Sequence, residues 1–370
     1  MNGLETDRDL DLVSVTGAGA SRSFGVEGPF PLMADWAAAL VTRLRDKPMQ
    51  STEAQRGVLP LRDDMTGPEF ETTLGLFLGQ VRAFDDVKAL LKPSLEIFGI
   101  SPNLNMTAGG GGSELALWYD QTKALLDELL EVLNESLYEQ FAGRVDTTGA
   151  QQAYGWLFDA IRVRPGSPIL VATTNYDIIA QTALSALGFL VDWGRPPQLL
   201  NTSSEEPLRV ERLLGGLPRY LPVLHLHGKV GWYSRPNGEV WDYVNTNYSR
   251  QWGTPVVMWP DDRKDAAAYG AQLVINELWD HFRNALRRAR KVLVIGHSLN
   301  DSFLVQAIRH NVPPERLAVT SLSTPPSRNS EHRVAFNLGA KVLPISFGPK
   351  PSGVDELANW SGTIDDRDAT

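Results

Sequence analysis

Three short runs of the chain carry apolar residues without polar alternation: Leu12–Thr16, Ile169–Thr173 and Lys291–Ile295. Each ends in turn-forming or polar residues, the pattern of a parallel strand buried on both faces. Val223–Leu226, Leu317–Thr320 and Val342–Ile345 are shorter runs of the same kind. Most are followed by helix-like segments. The pattern therefore predicts βα alternation, an α/β fold with a Rossmann-like doubly wound parallel sheet.

Between the first two runs, from roughly Asp46 to Arg164, the periodicity changes. Phe70–Ala83 and Leu115–Phe141 carry apolar residues at helical spacing, and Leu126, Leu129, Leu130, Leu133 and Leu137 make one stripe. This interval, 46–164, reads as a large helical insertion that covers the sheet or serves as an assembly surface. It is set within one domain spanning 8–348. Gly109 to Gly112 predict a flexible loop, and the polar, acidic residues 349–370 a flexible tail.

Composition narrows the classes. The chain has 370 residues, 42% hydrophobic and 21% charged, which suits a globular protein with a real core. A net charge of -9 argues against direct nucleic-acid binding, which clustered Lys and Arg drive. The basic run Arg283, Arg287, Arg288, Arg290, Lys291 reads as a solvated helix end. Cysteine is absent, which removes disulfides and thiolate-based zinc sites. Met1 to Leu10 has no apolar signal core, and no stretch nears the ~20 apolar residues of a membrane helix. The expectation is a cytoplasmic protein without membrane contact.

Candidate chemistry clusters at the expected strand ends. Thr16 leads into Gly17-Ala18-Gly19-Ala20-Ser21, where a tight turn lets backbone N–H groups approach a pyrophosphate. Arg22 stands where a fuller fingerprint has its third glycine. The second run ends in Thr173-Thr174-Asn175-Tyr176-Asp177. Asn175 suits a water or ribose hydroxyl, or else a helix N-cap, a role open to Asp177 too. In Leu224-His225-Leu226-His227-Gly228-Lys229, strand geometry would point both histidines to one face. His225 reads as structural, and His227, ahead of a glycine, as a general base near neutral pH. A His-x-His metal pair lacks a third ligand nearby.

With these stations in order, the chain resembles the sirtuin-like NAD-consuming family. The matching pieces are Gly17 to Ser21, Thr174-Asn175-Tyr176-Asp177, His227-Gly228 and Gly296-His297-Ser298-Leu299-Asn300-Asp301. The departures are also informative. The four zinc-binding cysteines of protein-deacylating sirtuins are missing, and Thr174 stands where they have Gln. Arg22-Ser23-Phe24-Gly25 follows Ser21 in place of their Gly-Ile-Pro-Asp-Phe-Arg segment. Lys229-Val230-Gly231-Trp232-Tyr233 replaces their peptide-pairing segment, so the resemblance does not extend to an acyl-lysine channel. Thr173 to Asp177, and Pro260…Lys264…Leu278-Trp279 leading into Val294 to Leu299, resemble the divergent branch found in bacterial anti-phage systems. There a sirtuin-like domain hydrolyses NAD to stop growth of the infected cell.

That resemblance implies an NAD hydrolase releasing ADP-ribose and nicotinamide without a metal. It implies chemistry at Asn175, His227 and Asp177. It implies NAD contacts from Thr16, Gly17, Ala18, Gly19, Ala20, Ser21, Thr174, Gly296, Ser298, Asn300 and Asp301. A zinc-free deacylase or ADP-ribosyltransferase is the alternative enzyme. A non-catalytic NAD or ADP-ribose sensor is the alternative binder, and retention of both Asn175 and His227 speaks against it. An NADase needs control. The short stretch beyond Phe347 leaves no space for a sensor domain, which points to a homo-oligomer or a HerA-type ATPase partner.

Overall fold

The computed structural model describes residues 10–25, 33–46, 59–62, 64–97, 112–141, 145–161, 168–192, 199–200, 207–208, 219–235, 239–243, 248, 250–258, 273–320 and 330–362. The chain divides into two compact units. One comprises Met1–Leu32, Tyr138–Met258 and Lys264–Thr370; the other Met33–Leu137 with Trp259–Arg263.

The first unit is built on β1 (Leu10–Thr16), β2 (Ile169–Thr173), β3 (Phe189–Asp192), β4 (Leu199–Leu200), β5 (Pro207–Leu208), β6 (Arg219–His225), β7 (Gly228–Ser234), β8 (Val240–Tyr243), β9 (Thr254–Val257), β10 (Ala289–Ile295), β11 (Leu317–Thr320) and β12 (Lys341–Leu343). Seven of them form one sheet in the order β12-β11-β10-β1-β2-β6-β3. Every pairing in it is parallel. This is the doubly wound α/β architecture expected from the unalternated apolar runs. β2 is buried at all five positions, as a strand covered on both faces must be. The central strands and the helices Leu273–Arg288 and Ser302–Asn311 share one apolar core, with Val13, Phe282, Leu286, Val292, Val294, Leu304 and Ile308 all at 0% exposure.

A second sheet, in the order β5-β4-β8-β7-β9, is absent from the sequence reading. β7 pairs antiparallel with both β8 and β9. Its glycines and Lys229 interrupt the apolar pattern that would have marked it.

The second unit is helical. Its described helices are Met33–Asp46, Gly67–Ile97 and the part of Gly112–Phe141 that reaches Leu137. Thr66 and Glu69 form a capping box at the start of Gly67–Ile97: Thr66 N–H donates to Glu69 Oε2 at 2.8 Å, and Glu69 N–H to Thr66 Oγ1 at 3.4 Å. The leucine stripe faces inward, with Leu126, Leu129, Leu133 and Leu137 buried and Leu130 half-buried. Trp36 packs edge-on against Phe70 at 5.1 Å and donates its indole N–H to Ser136 Oγ at 3.0 Å.

Of the expected Gly-rich loop, Gly109 to Gly111 lie outside the described residues, as does the stretch from Pro260 to Lys264. Beyond Pro349, Val354–Gly362 is helical and buries Leu357 and Trp360. Lys291 Nζ donates to the Trp360 carbonyl at 3.0 Å.

Candidate functional site

β1 lies between β10 and β2, so the chain leaves β1 toward one side of the sheet and later occupies the other. Such a reversal opens a crevice at the carboxyl ends of the strands, the usual ligand position of doubly wound sheets. Thr16-Gly17, Thr173-Thr174, His225 and Ile295-Gly296 mark the carboxyl ends of β1, β2, β6 and β10. The motifs noted in the sequence therefore share one edge of one sheet.

The turn after β1 is held by backbone hydrogen bonds. Gly17 N–H donates to the Ile295 carbonyl at 2.9 Å, and Gly19 N–H to the Gly296 carbonyl at 2.8 Å. These two amides are therefore engaged by the turn after β10, whereas the sequence suggested them for a phosphate. Gly296 is required there: its φ is +61°, and a Cβ would stand 2.1 Å from the Ala20 nitrogen. Ala20 and Ser21 are buried, Gly19 is half-buried and Ala18 is exposed.

Asn175 joins this turn to β2. Its side-chain NH2 donates to the Gly17 carbonyl at 3.0 Å and to Ser21 Oγ at 2.8 Å, and the residue is 8% exposed. The sequence left Asn175 or Asp177 open as the N-cap of the next helix; that position falls to Ile178, while Asp177 Oδ1 accepts from Ile179 N–H at 2.9 Å. Burial pushes the Asp177 carboxyl up to about 6, opposed by hydrogen bonds from Ile179, Ser21 and Asn175. Burial, then the neighbouring Asp177, raises the Tyr154 hydroxyl above its ordinary range. Thr174, half-buried, donates its N–H to the Thr16 carbonyl at 3.2 Å, and Thr16 Oγ1 donates to the Ala172 carbonyl at 3.4 Å.

The two histidines are not both on the strand. β6 ends at His225, and a turn carries His227 away before β7 begins. Gly228 completes it at φ +71°, with the Val256 carbonyl oxygen 2.0 Å from where a Cβ would be. His225 is 1% exposed and lies 5.6 Å from the Trp232 ring. Burial, then the charge of Lys229, holds its imidazole down to about 3, so it is neutral. Lys229 Nζ is itself paired with Asp242 Oδ2 at 2.8 Å.

His227 is flanked by the rings of Tyr176 at 6.4 Å and Trp279 at 6.3 Å. Its carbonyl accepts from Met258 N–H at 2.6 Å. Its Nε2 lies 2.8 Å from Asp301 Oδ2, a pairing that nothing local in the sequence announces. Asp301 Oδ1 caps the helix Ser302–Asn311, accepting from Phe303 N–H at 2.9 Å and Leu304 N–H at 3.2 Å. Asp301 Oδ1 is thus engaged by the helix cap and Oδ2 faces His227, whereas the resemblance implied a contact of Asp301 to the dinucleotide.

The turn leading to Asp301 is strained. Leu299 has φ +56°, a left-handed conformation costing a side-chain-bearing residue roughly 1–2 kcal/mol. Its N–H donates to His297 Nδ1 at 2.8 Å, and its side chain is 3% exposed. Both oppose relaxation. Ser298 is half-buried and Asn300 exposed, and each follows β10, as half-buried Thr174 follows β2 and exposed Ala18 follows β1. Among the described residues no group of three or more His, Asp or Glu could hold a metal ion. Nor does a described helix have the length and apolarity to cross a membrane.

No protein-family model matches the chain, and no curated protein matches it. Among solved structures, a Sir2 homologue–NAD complex aligns with a TM-score of 0.39 and 11% identity, over 96% of this chain and 90% of that one. A mutant Sir2 homologue complexed with 2'-O-acetyl ADP ribose gives 0.36 and 10%, over 96% and 92%. A further mutant, in complex with ADP ribose, gives 0.35 and 10%, over 95% and 92%.

Proposed function

We propose that the chain binds NAD at the carboxyl ends of β1, β2, β6 and β10 and hydrolyses its nicotinamide–ribose bond, giving ADP-ribose and nicotinamide. The observation that carries this reading is the convergence of Asn175 and the His227–Asp301 pair on one switch-point edge. Doubly wound sheets bind dinucleotides at such edges. In this reading Ala18, Thr174, Ser298 and Asn300 offer the accessible polar and backbone groups for the dinucleotide. Gly17, Gly19 and Gly296 let the two turns approach each other closely, and Thr16, Ala20 and Ser21 form the supporting layer.

Cleavage of the bond develops positive charge on the ribose, and the enzyme must hold that sugar and deliver water. Asn175 fixes the turn that borders the ribose. His227 acts as the base toward water. Asp177, bound to Ser21 and Asn175, adds a negative charge above its raised pKa that favours the cationic ribose. The resemblance to anti-phage NAD hydrolases supplies the biological side of the proposal. Expression of the active chain should lower cellular NAD and arrest growth, alone or once a partner releases it.

The test is NAD consumption by the purified protein with product identification, beside Asn175→Ala and His227→Ala. ADP-ribose and nicotinamide, lost in both variants, are the expected outcome. Acyl-ADP-ribose or label transferred to protein would overturn hydrolysis in favour of transfer. Binding of NAD by calorimetry without turnover, with candidate partners present, would make the chain a sensor.

A further inference from the structure

The contact between His227 and Asp301 has a defined polarity. Asp301 Oδ1 receives two N–H groups from the first turn of the ten-residue helix Ser302–Asn311. Hydrogen bonds to a carboxylate and the positive end of a helix both favour its ionised form. An ionised carboxylate only accepts, and a bare imidazole lone pair 2.8 Å from Oδ2 would repel it, so this close polar contact, which falls short of hydrogen-bond alignment, favours the proton on His227 Nε2. The neutral imidazole is thereby held as the Nε2–H tautomer, and its lone pair lies at Nδ1. Met258 fixes the His227 backbone, and the Tyr176 and Trp279 rings flank the imidazole. Of Tyr176, Met258, Trp279 and Asp301, Asp301 is the one that carries a charge at neutral pH. Lys229, two residues on, is turned away to Asp242.

We propose that Asp301 is a positioning residue: through its close contact with Nε2 it presents His227 Nδ1 as the base and stabilises the imidazolium that forms. This rests on the NAD-hydrolase reading. In the step, a water oxygen bonds to the ribose C1' and the C1'–nitrogen bond breaks. The electron pair of that bond goes to the ring nitrogen, which leaves as neutral nicotinamide. The water proton goes to His227 Nδ1, where Asp301 balances the charge, and is then released to solvent. Helix cap and catalytic base are joined in one carboxylate, so the strained 296–301 turn sets the position of the base.

The experiment is Asp301→Asn in the full chain. Asn caps a helix as well as Asp does, so the fold is kept while the charge is lost. Asp301→Ser, which also caps but is too short to reach His227, serves as the second variant. Histidine labelled with 15N, with His227 assigned by difference against His227→Gln, reports tautomer and pKa by NMR titration. Expected are an Nε2–H tautomer in the wild type and a fall of about one pH unit or more in the His227 pKa in both variants. On NAD, kcat should fall about 10²–10⁴-fold with little change in KM, and its acid limb should move to lower pH. An unchanged tautomer and pKa in Asp301→Asn would overturn the proposal, as would a fall in kcat with an unmoved acid limb. If the wild type does not turn over NAD even with candidate partners present, the hydrolase reading fails, and the NMR titration still decides the pair.

Discussion

His225 and His227 stand two residues apart, one at the end of β6 and the other in the turn that follows, both buried, and the protein gives them different surroundings. His225 enters a pocket with Trp232 beside it and a cation nearby, so burial and Lys229 keep it neutral. His227 meets a carboxylate fixed by a helix terminus. Residue type does not separate a structural histidine from a reactive one here. The charge that the tertiary fold brings to each ring does.

The largest effect that would break this comparison is on turnover. His227→Ala should cost about 10²–10⁴-fold in NAD hydrolysis, the usual contribution of a general base. His225→Leu should leave turnover within about tenfold. If the two variants lose activity equally, the division between the rings is wrong.

Next comes the pair that shapes the His225 side. Lys229 and Asp242 are each 3% exposed and 2.8 Å apart. Lys229→Met strands a buried carboxylate and should destabilise by about 3–5 kcal/mol in denaturant unfolding. The double variant Lys229→Met/Asp242→Leu should recover most of that loss. Failure to recover would mean that the pair orders the sheet β7–β8 beyond its own charges.

The two strand-end surroundings differ in how far they can be read from sequence. β2 and β11 have the bounds that their apolar runs suggest, because strands buried on both faces need no alternation. β6 begins earlier than Val223–Leu226, since Arg219, Tyr220 and Pro222 hide its first half. Asn175 and His227 could be singled out because each follows a recognisable strand. Asp301 could be placed near the site but not on His227, and Asp242 could not be matched to Lys229. Those pairings join residues distant in sequence, and only packing brings them together. The β7–β9 region was unreadable for a different reason: β7 is broken by Gly228, Lys229 and Gly231, and β8 and β9 have only four residues each.

The pH dependence of stability sharpens the comparison further. His225 is held down to about 3 from 6.5, so the unfolded chain takes its proton first, and stability is lost as pH falls below about 6.5. Asp177 is raised to about 6 from 3.8, so the folded chain takes its proton first, and stability is gained as pH falls from about 6 to about 4. In that window each contributes a slope of about 1.4 kcal/mol per pH unit, opposite in sign. Against the wild type, His225→Leu should become progressively more stable on acidification, and Asp177→Asn progressively less. Urea unfolding at pH 4, 5, 6 and 7 measures both. Slopes of the same sign in the two variants would show that one of these groups is not buried as described.

The smallest effect tests how the wall of His227 is held. Tyr176 is 3% exposed, and its hydroxyl donates to the Met258 carbonyl at 2.5 Å, while Met258 N–H donates to His227. Tyr176→Phe keeps the ring beside His227 but leaves that buried carbonyl without its hydroxyl partner. The expected cost is about 1–3 kcal/mol in stability, from the desolvated acceptor. Turnover should stay within about threefold, because the ring and the His227 backbone bond survive. A fall in kcat with stability untouched would mean that the hydroxyl serves the chemistry, and the two rings would then differ in their proton partners as well as in their neighbouring charges.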